Sequence, residues 1–193
     1  DKFLLGRFAG LNWVAFYDLA FGLITQLRNL PGAIFSAFIP MASELKAKGS
    51  HVKIEKLYQR GLRYLNVCGL PIFIFVIVFA YPVVRVWLGE QYSAVAWALQ
   101  FLAAGNYLNL LTGPAYNISL GLGQPRIGIY FSLVLTGLTV FFSTILIPIF
   151  GYKGAVFSYT VVASTSAMFL IWNFHQRNKM AFRKVYFNTL VFP

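Results

Sequence analysis

Arg28 lies in a stretch, residues 13–42, that is otherwise apolar apart from scattered polar side chains, and whose only other charge is Asp18. A guanidinium carries five N–H donors in a fixed fork and stays protonated, which suits it to grip a phosphate or carboxylate through paired hydrogen bonds. Near the middle of a membrane span such a charge costs about 2.5–3.5 kcal/mol to insert, so it must face protein or a watery cavity. Two roles fit Arg28: contact with an anionic group such as a phosphate, or a structural ion pair with a carboxylate on another helix. Gln26 and Asn29 are close by but project in other directions around a helix. Asp18 lies roughly 15 Å away along a helix, too far to pair with Arg28. It reads either as a solvated or structural carboxylate or as a cation- or proton-coupling site.

A second polar group comes from Asn106, Asn109, Thr112 or Gly113, and Tyr116. Their spacing puts them on one face of a helix whose other faces suit lipid. Such a stripe either lines an aqueous path or ties helices together by hydrogen bonds. Asn106 and Asn109 are its candidates for contact with a substrate. Catalytic arrangements do not emerge. His51 and His175 lie in basic segments without acidic or cysteine partners, so neither a metal site nor a triad can be drawn. Gly121-Leu122-Gly123 lacks the Lys-Ser/Thr of a phosphate loop. Cys68 is the only cysteine, which rules out a disulfide framework. No enzyme and no cofactor are expected.

The elements that must position these residues follow from composition. Of 193 residues, 59% are hydrophobic, 18% aromatic and only 11% charged, with a mean hydropathy of +0.68. Soluble domains carry about 25% charged residues, so this chain cannot cover a water-facing surface and reads as an all-α membrane protein. Uncharged runs long enough to cross ~30 Å of hydrocarbon predict about five spans: 13–42, 64–87, 94–120, 127–149 and 154–174. The net charge of +11 comes from 16 Lys and Arg against 5 Asp and Glu. These charges cluster between apolar runs, which points to topology and anionic lipid headgroups and not to nucleic acid.

Alternate connections are basic. Lys46, Lys48, Lys53, Lys56, Arg60 and Arg63 share one, Arg126 marks the third, and Arg177, Lys179, Arg183 and Lys184 occupy the tail, while residues 89–92 have no Lys or Arg and Lys153 stands alone in the fourth. The positive-inside bias then predicts 43–63, 121–127 and 175–186 on the cytoplasmic side of the cell's inner membrane. Trp13, Tyr81, Trp87, Tyr92, Tyr152 and Trp172 fall near span ends, where aromatic anchors belong. Within the basic connection, Val52, Leu57, Leu62 and Leu65 alternate with the cations. That pattern fits an amphipathic helix on the inner interface or a solvated basic turn. Pro31 and Pro114 interrupt spans, and Pro71 and Pro82 flank one, predicting kinks. Both ends read as internal to a longer chain.

Several runs resemble a known family in order and spacing over residues 1–175. They are Asp1-Lys2-Phe3-Leu4-Leu5-Gly6, Val14-Ala15-Phe16-Tyr17-Asp18-Leu19-Ala20, Phe38-Ile39-Pro40-Met41-Ala42-Ser43-Glu44-Leu45, Val86-Trp87-Leu88-Gly89-Glu90-Gln91-Tyr92, Leu120-Gly121-Leu122-Gly123-Gln124-Pro125-Arg126 and Ile147-Pro148-Ile149-Phe150-Gly151-Tyr152-Lys153-Gly154-Ala155. Together they resemble polysaccharide (O-antigen/oligosaccharide) flippases of the multidrug/oligosaccharidyl-lipid/polysaccharide exporter superfamily. The resemblance implies a piece of the second bundle of a two-bundle transporter of about 12–14 helices. It implies alternating access that moves an undecaprenyl-pyrophosphate-linked oligosaccharide between leaflets for polysaccharide biosynthesis, with Arg28 in the place of a cationic cavity residue. The first bundle, the rest of the same transporter chain, would be the main partner. Alternatives are a multidrug or lipid II exporter of the same superfamily, or a non-transporting membrane glycosyltransferase or ligase component. The last would need a larger outer loop than these short turns.

Overall fold

The computed structural model describes residues 2–178 and 180. The basic tail residues Lys179, Arg183 and Lys184, with the final apolar run 190–193, lie outside the described residues. All regular structure among the described residues is helical. Three helical stretches are long and apolar enough to cross a membrane: His51–Trp87, Glu90–Gly121 and Arg126–Arg177. The chain is an all-α membrane protein.

The elements are α1 (Lys2–Phe8), α2 (Leu11–Gly32), α3 (Phe38–Ala47), α4 (His51–Tyr64), α5 (Leu70–Trp87), α6 (Ser93–Leu110), α7 (Thr112–Gly121) and α8 (Arg126–Arg177). Helix α8 is two arms joined at Gly151, whose backbone (φ 54°, ψ −127°) is not helical. A residue without a Cβ takes that conformation without penalty. The arms, 126–150 and 152–177, fold back on each other: Ser143 Oγ and Ser158 Oγ lie 3.0 Å apart in a buried hydrogen bond. Gly154 makes the close approach possible, since a Cβ there would strike the Leu146 carbonyl.

Helix α6 forms the centre. Val95, Ala96, Ala98, Leu99, Leu102, Ala103, Gly105 and Leu110 are all buried, against α2, α5 and α8. Small residues let backbones approach where no hydrophobic effect drives helices together in lipid. A Cβ on Gly105 would sit 3.0 Å from Thr160 Cα, and Thr160 Oγ1 donates to the Phe101 carbonyl at 3.2 Å.

A second packing group comprises α3, α4 and α7. The basic segment is helical: α4 buries Ile54, Leu57, Tyr58 and Leu62 while Lys53, Lys56, Arg60 and Arg63 are exposed. The amphipathic reading therefore holds for the helix, but its apolar face lies on protein and not on lipid. Tyr58 packs on Phe174 with ring centroids 4.9 Å apart, and Gly61 is pressed against Phe38 and Pro114. Lys46 Nζ donates to the Leu122 carbonyl at 2.6 Å and ties α3 to the turn after α7.

Three helix irregularities fall at one depth. Pro31 is followed by a 3-10 segment over Ala33–Ala37. A π-helical turn, Leu65–Gly69, separates α4 from α5. The polar span around residue 111 divides into α6 and α7. All three meet near Leu110: a Cβ placed on Gly32 or on Gly69 would touch its side chain, and one on Gly69 would also reach Pro31.

Candidate functional site: a polar cleft at the helix breaks

The irregular layer opens a cleft of about 550 Å³ between the end of α2, the α6–α7 junction and the first arm of α8. Its polar lining comes from Arg28, Asn29, Asn109, Thr112, Asn117 and Ser132. Arg28 sits one turn before Pro31, so the kink and the 3-10 segment shape the wall beside it. The guanidinium is half-buried, acts electrostatically on Tyr159, and has no ion pair among the described residues. A structural pair with a carboxylate is therefore not formed among the described residues. Arg28 thus lines a space large enough for a ligand.

The structure separates the other sequence-predicted residues. Asn109 is 7% exposed and lines the cleft, while Thr112 Oγ1 donates to its backbone carbonyl at 2.6 Å and leaves its amide available. Asn106, three residues earlier, does not line the cleft. Its Nδ2 donates to the Leu102 carbonyl at 2.9 Å, and its Oδ1 accepts from the Tyr159 hydroxyl at 3.2 Å. It thus holds α6 to the second arm of α8, beside the ring that feels Arg28. Asp18 is remote from the cleft. Its carboxylate pairs with Lys2 Nζ at 2.7 Å, with both side chains about half exposed.

Sequence reading missed Asn29, Asn117 and Ser132 as cleft residues. A signal for Ser132 existed. Ser132, Thr136, Thr139 and Ser143 recur at helical spacing through an otherwise apolar run. That stripe runs from the cleft to the buried Ser143–Ser158 contact. Asn117 donates to the Gly113 carbonyl at 2.9 Å, a local bond one turn back along its own helix.

Chemically the cleft offers groups that bind and orient. No group of three or more His, Cys, Asp or Glu is gathered among the described residues, and the cleft is lined by one cation, amides and hydroxyls. An anion with flanking hydroxyl groups matches that inventory.

Comparison with known proteins agrees with this composition. The sequence profile of a family described as polysaccharide biosynthesis protein matches residues 1–97. An uncharacterized membrane protein from Methanocaldococcus jannaschii is 26% identical over 175 residues, covering 90% of this chain and 34% of the relative. A Shigella flexneri protein named "Putative O-antigen transporter" is 24% identical over 175 residues, covering 89% of this chain and 41% of the relative. The chain thus spans between a third and about two-fifths of the length of these relatives. No solved structure gives a significant match. With the profile matching half of the chain, on an all-helical membrane scaffold, this protein belongs to the polysaccharide biosynthesis protein family.

Proposed function

We propose that this segment is part of a flippase that moves an undecaprenyl-pyrophosphate-linked oligosaccharide across the cytoplasmic membrane by alternating access. The observation that carries the reading is Arg28: a half-buried guanidinium without an ion pair among the described residues, at the mouth of a 550 Å³ cleft. A charge that is expensive in the membrane and without a carboxylate beside it suits an anion that comes and goes. In this reading Arg28 grips the pyrophosphate, Asn109 bonds a neighbouring oxygen, and Asn106 positions Tyr159 and α6. The rest of the transporter supplies the facing half of the cavity, and the exposed cations of α4 rest at the anionic headgroups of the inner leaflet. The five predicted spans and the cytoplasmic placement of 43–63 belong to the same proposal.

Charge-assisted hydrogen bonds of the guanidinium contribute about 1.5–3 kcal/mol. In the full-length protein Arg28→Ala should therefore weaken substrate engagement roughly 10- to 150-fold and abolish polysaccharide export. Arg28→Lys should retain part of it, because the charge remains while the fork is lost. Normal export by the Ala variant at matched protein level would sink the proposal. A lipid II exporter of the same superfamily would use the same pyrophosphate contact. The two differ in cargo, so complementation of a strain lacking its polysaccharide flippase decides between them.

A further inference from the structure

At the end of the bundle away from α4, a second cleft of about 520 Å³ opens where the α1–α2 turn, the start of α6 and the α8 break meet. Aromatic rings line it: Trp13, Tyr81, Trp97 and Tyr152, with Ser93 and the ammonium of Lys153 among its polar groups. Trp13 and Tyr152 have ring centroids 4.9 Å apart with planes tilted by 35°. The Tyr152 hydroxyl donates to the Ala94 carbonyl at 3.1 Å, and Lys153 Nζ lies 5.9 Å from the Trp97 ring centre.

Trp13 and Tyr81 are 39% and 46% exposed, whereas Tyr152 and Trp97 are more enclosed than rings that anchor a protein at the membrane interface. Trp87 and Trp172 project outward, 61% and 55% exposed. Tyr152 is only 6% exposed, and Trp97 is half-buried and held by contacts with Phe101 and Phe157. The cleft is therefore a preorganised concave wall, in the size range of small-molecule sites. Flat π-faces beside a few polar groups suit a pyranose. The C–H bonds on one face of that ring carry partial positive charge and stack on the electron-rich aromatic face, while its hydroxyls need donors such as an ammonium and a serine hydroxyl. A lipid headgroup phosphate would use Lys153 but would leave the aromatic wall without a function.

We propose that this cleft binds the saccharide part of the cargo, stacked on Trp13 and Trp97, at a site separate from Arg28. The choice of a saccharide rests on the transport reading above; the aromatic cleft itself does not. The test uses full-length protein in nanodiscs of zwitterionic lipid and saturation-transfer-difference NMR. The probes are methyl glycosides of glucose, galactose, rhamnose and N-acetylglucosamine, with maltotriose. Transfer to ring protons of at least one probe is expected. It should fall at least fivefold (about one order of magnitude in the ideal case) in Trp13→Ala and be unchanged in Arg28→Ala. Ser93→Trp fills the cleft from an exposed position without removing a packed ring, and should block transfer in a protein that still folds. No transfer from any probe, or transfer that survives Ser93→Trp, overturns the proposal. So does retention of phosphatidylglycerol, seen by native mass spectrometry, that Ser93→Trp abolishes while no glycoside binds. Normal export by Arg28→Ala would overturn the transport reading and leave a positive glycoside result standing.

Discussion

Gly61→Ala tests whether α4 is docked on protein. A Cβ at this position would lie 2.7 Å from Phe38 Cε2 and 2.9 Å from both Cβ and Cγ of Pro114. Carbon atoms prefer separations of about 3.5–4.0 Å, so three atoms would have to retreat by about 0.6–1.3 Å. Phe38 is itself pinned by an edge-to-face contact with Phe35, and the proline ring has no rotamer to yield. Overpacking of this kind costs about 1–3 kcal/mol, against about 0.8–1 kcal/mol gained when alanine replaces glycine in a helix. The net expectation is a loss of up to about 2 kcal/mol. Gly22→Ala is the control, because nothing lies within 4 Å of a Cβ there, and its expected change is a gain of about 0.5–1 kcal/mol. Reversible denaturation of the full-length protein in detergent measures both, and the readout is the opposite sign of the two effects. If α4 lay along the bilayer with Gly61 toward lipid, Gly61→Ala would match the control. Stability at or above wild type for Gly61→Ala refutes the docked arrangement.

Other changes have equally defined outcomes. Tyr107→Phe removes the hydroxyl that donates to Asn66 Oδ1 at 3.0 Å in the π-helical turn. Thermal unfolding should show a loss of about 1–2 kcal/mol from the unpaired amide, which Asn66→Leu in the same chain should partly restore. Asp18→Asn should leave export within about twofold of wild type, since the half-exposed Lys2–Asp18 pair is worth no more than about 1 kcal/mol. An export defect that follows the proton gradient would instead make Asp18 a coupling site. Replacing Lys53, Lys56, Arg60 and Arg63 by Gln should cut phosphatidylglycerol co-purification, at about 1 kcal/mol of attraction lost per charge near an anionic surface. Unchanged lipid content would place that face away from headgroups.

Much of the fold was readable because bilayer solvent imposes a coarse code. The run from Tyr64 to Val84 carries no charge, and it lies within one of the three membrane-competent stretches. Depth and packing were less readable. The basic residues 43–63 looked like a connection by charge alone, yet α4 forms there because Ile54, Leu57, Tyr58 and Leu62 share a face. Which surface covers that face depends on Phe38, Pro114 and Phe174, distant in sequence and invisible to periodicity. The two asparagines of the stripe show the same limit. Asn106 and Asn109 are spaced to share a face, but the end of α6 just beyond Asn109 turns one toward the cleft and leaves the other bonded to Leu102 and Tyr159. Arg28 stood out because a charge in an apolar run is rare, and its lack of an ion pair among the described residues needed three dimensions to see.

The layer where the helices break also leaves backbone oxygens without their helical partners. Pro31 has no N–H to give to the carbonyl of Leu27, the residue next to Arg28. Helix α6 ends at Leu110 beside the same cleft, and the final carbonyls of a helix carry about half a negative charge between them. Both sets of carbonyls belong to elements that border the cleft Arg28 lines. In the transport reading proposed above, an anion held by Arg28 would also meet these carbonyl oxygens, whose partial negative charge opposes it. Release of the cargo would then depend as much on the backbone as on the side chain that holds it.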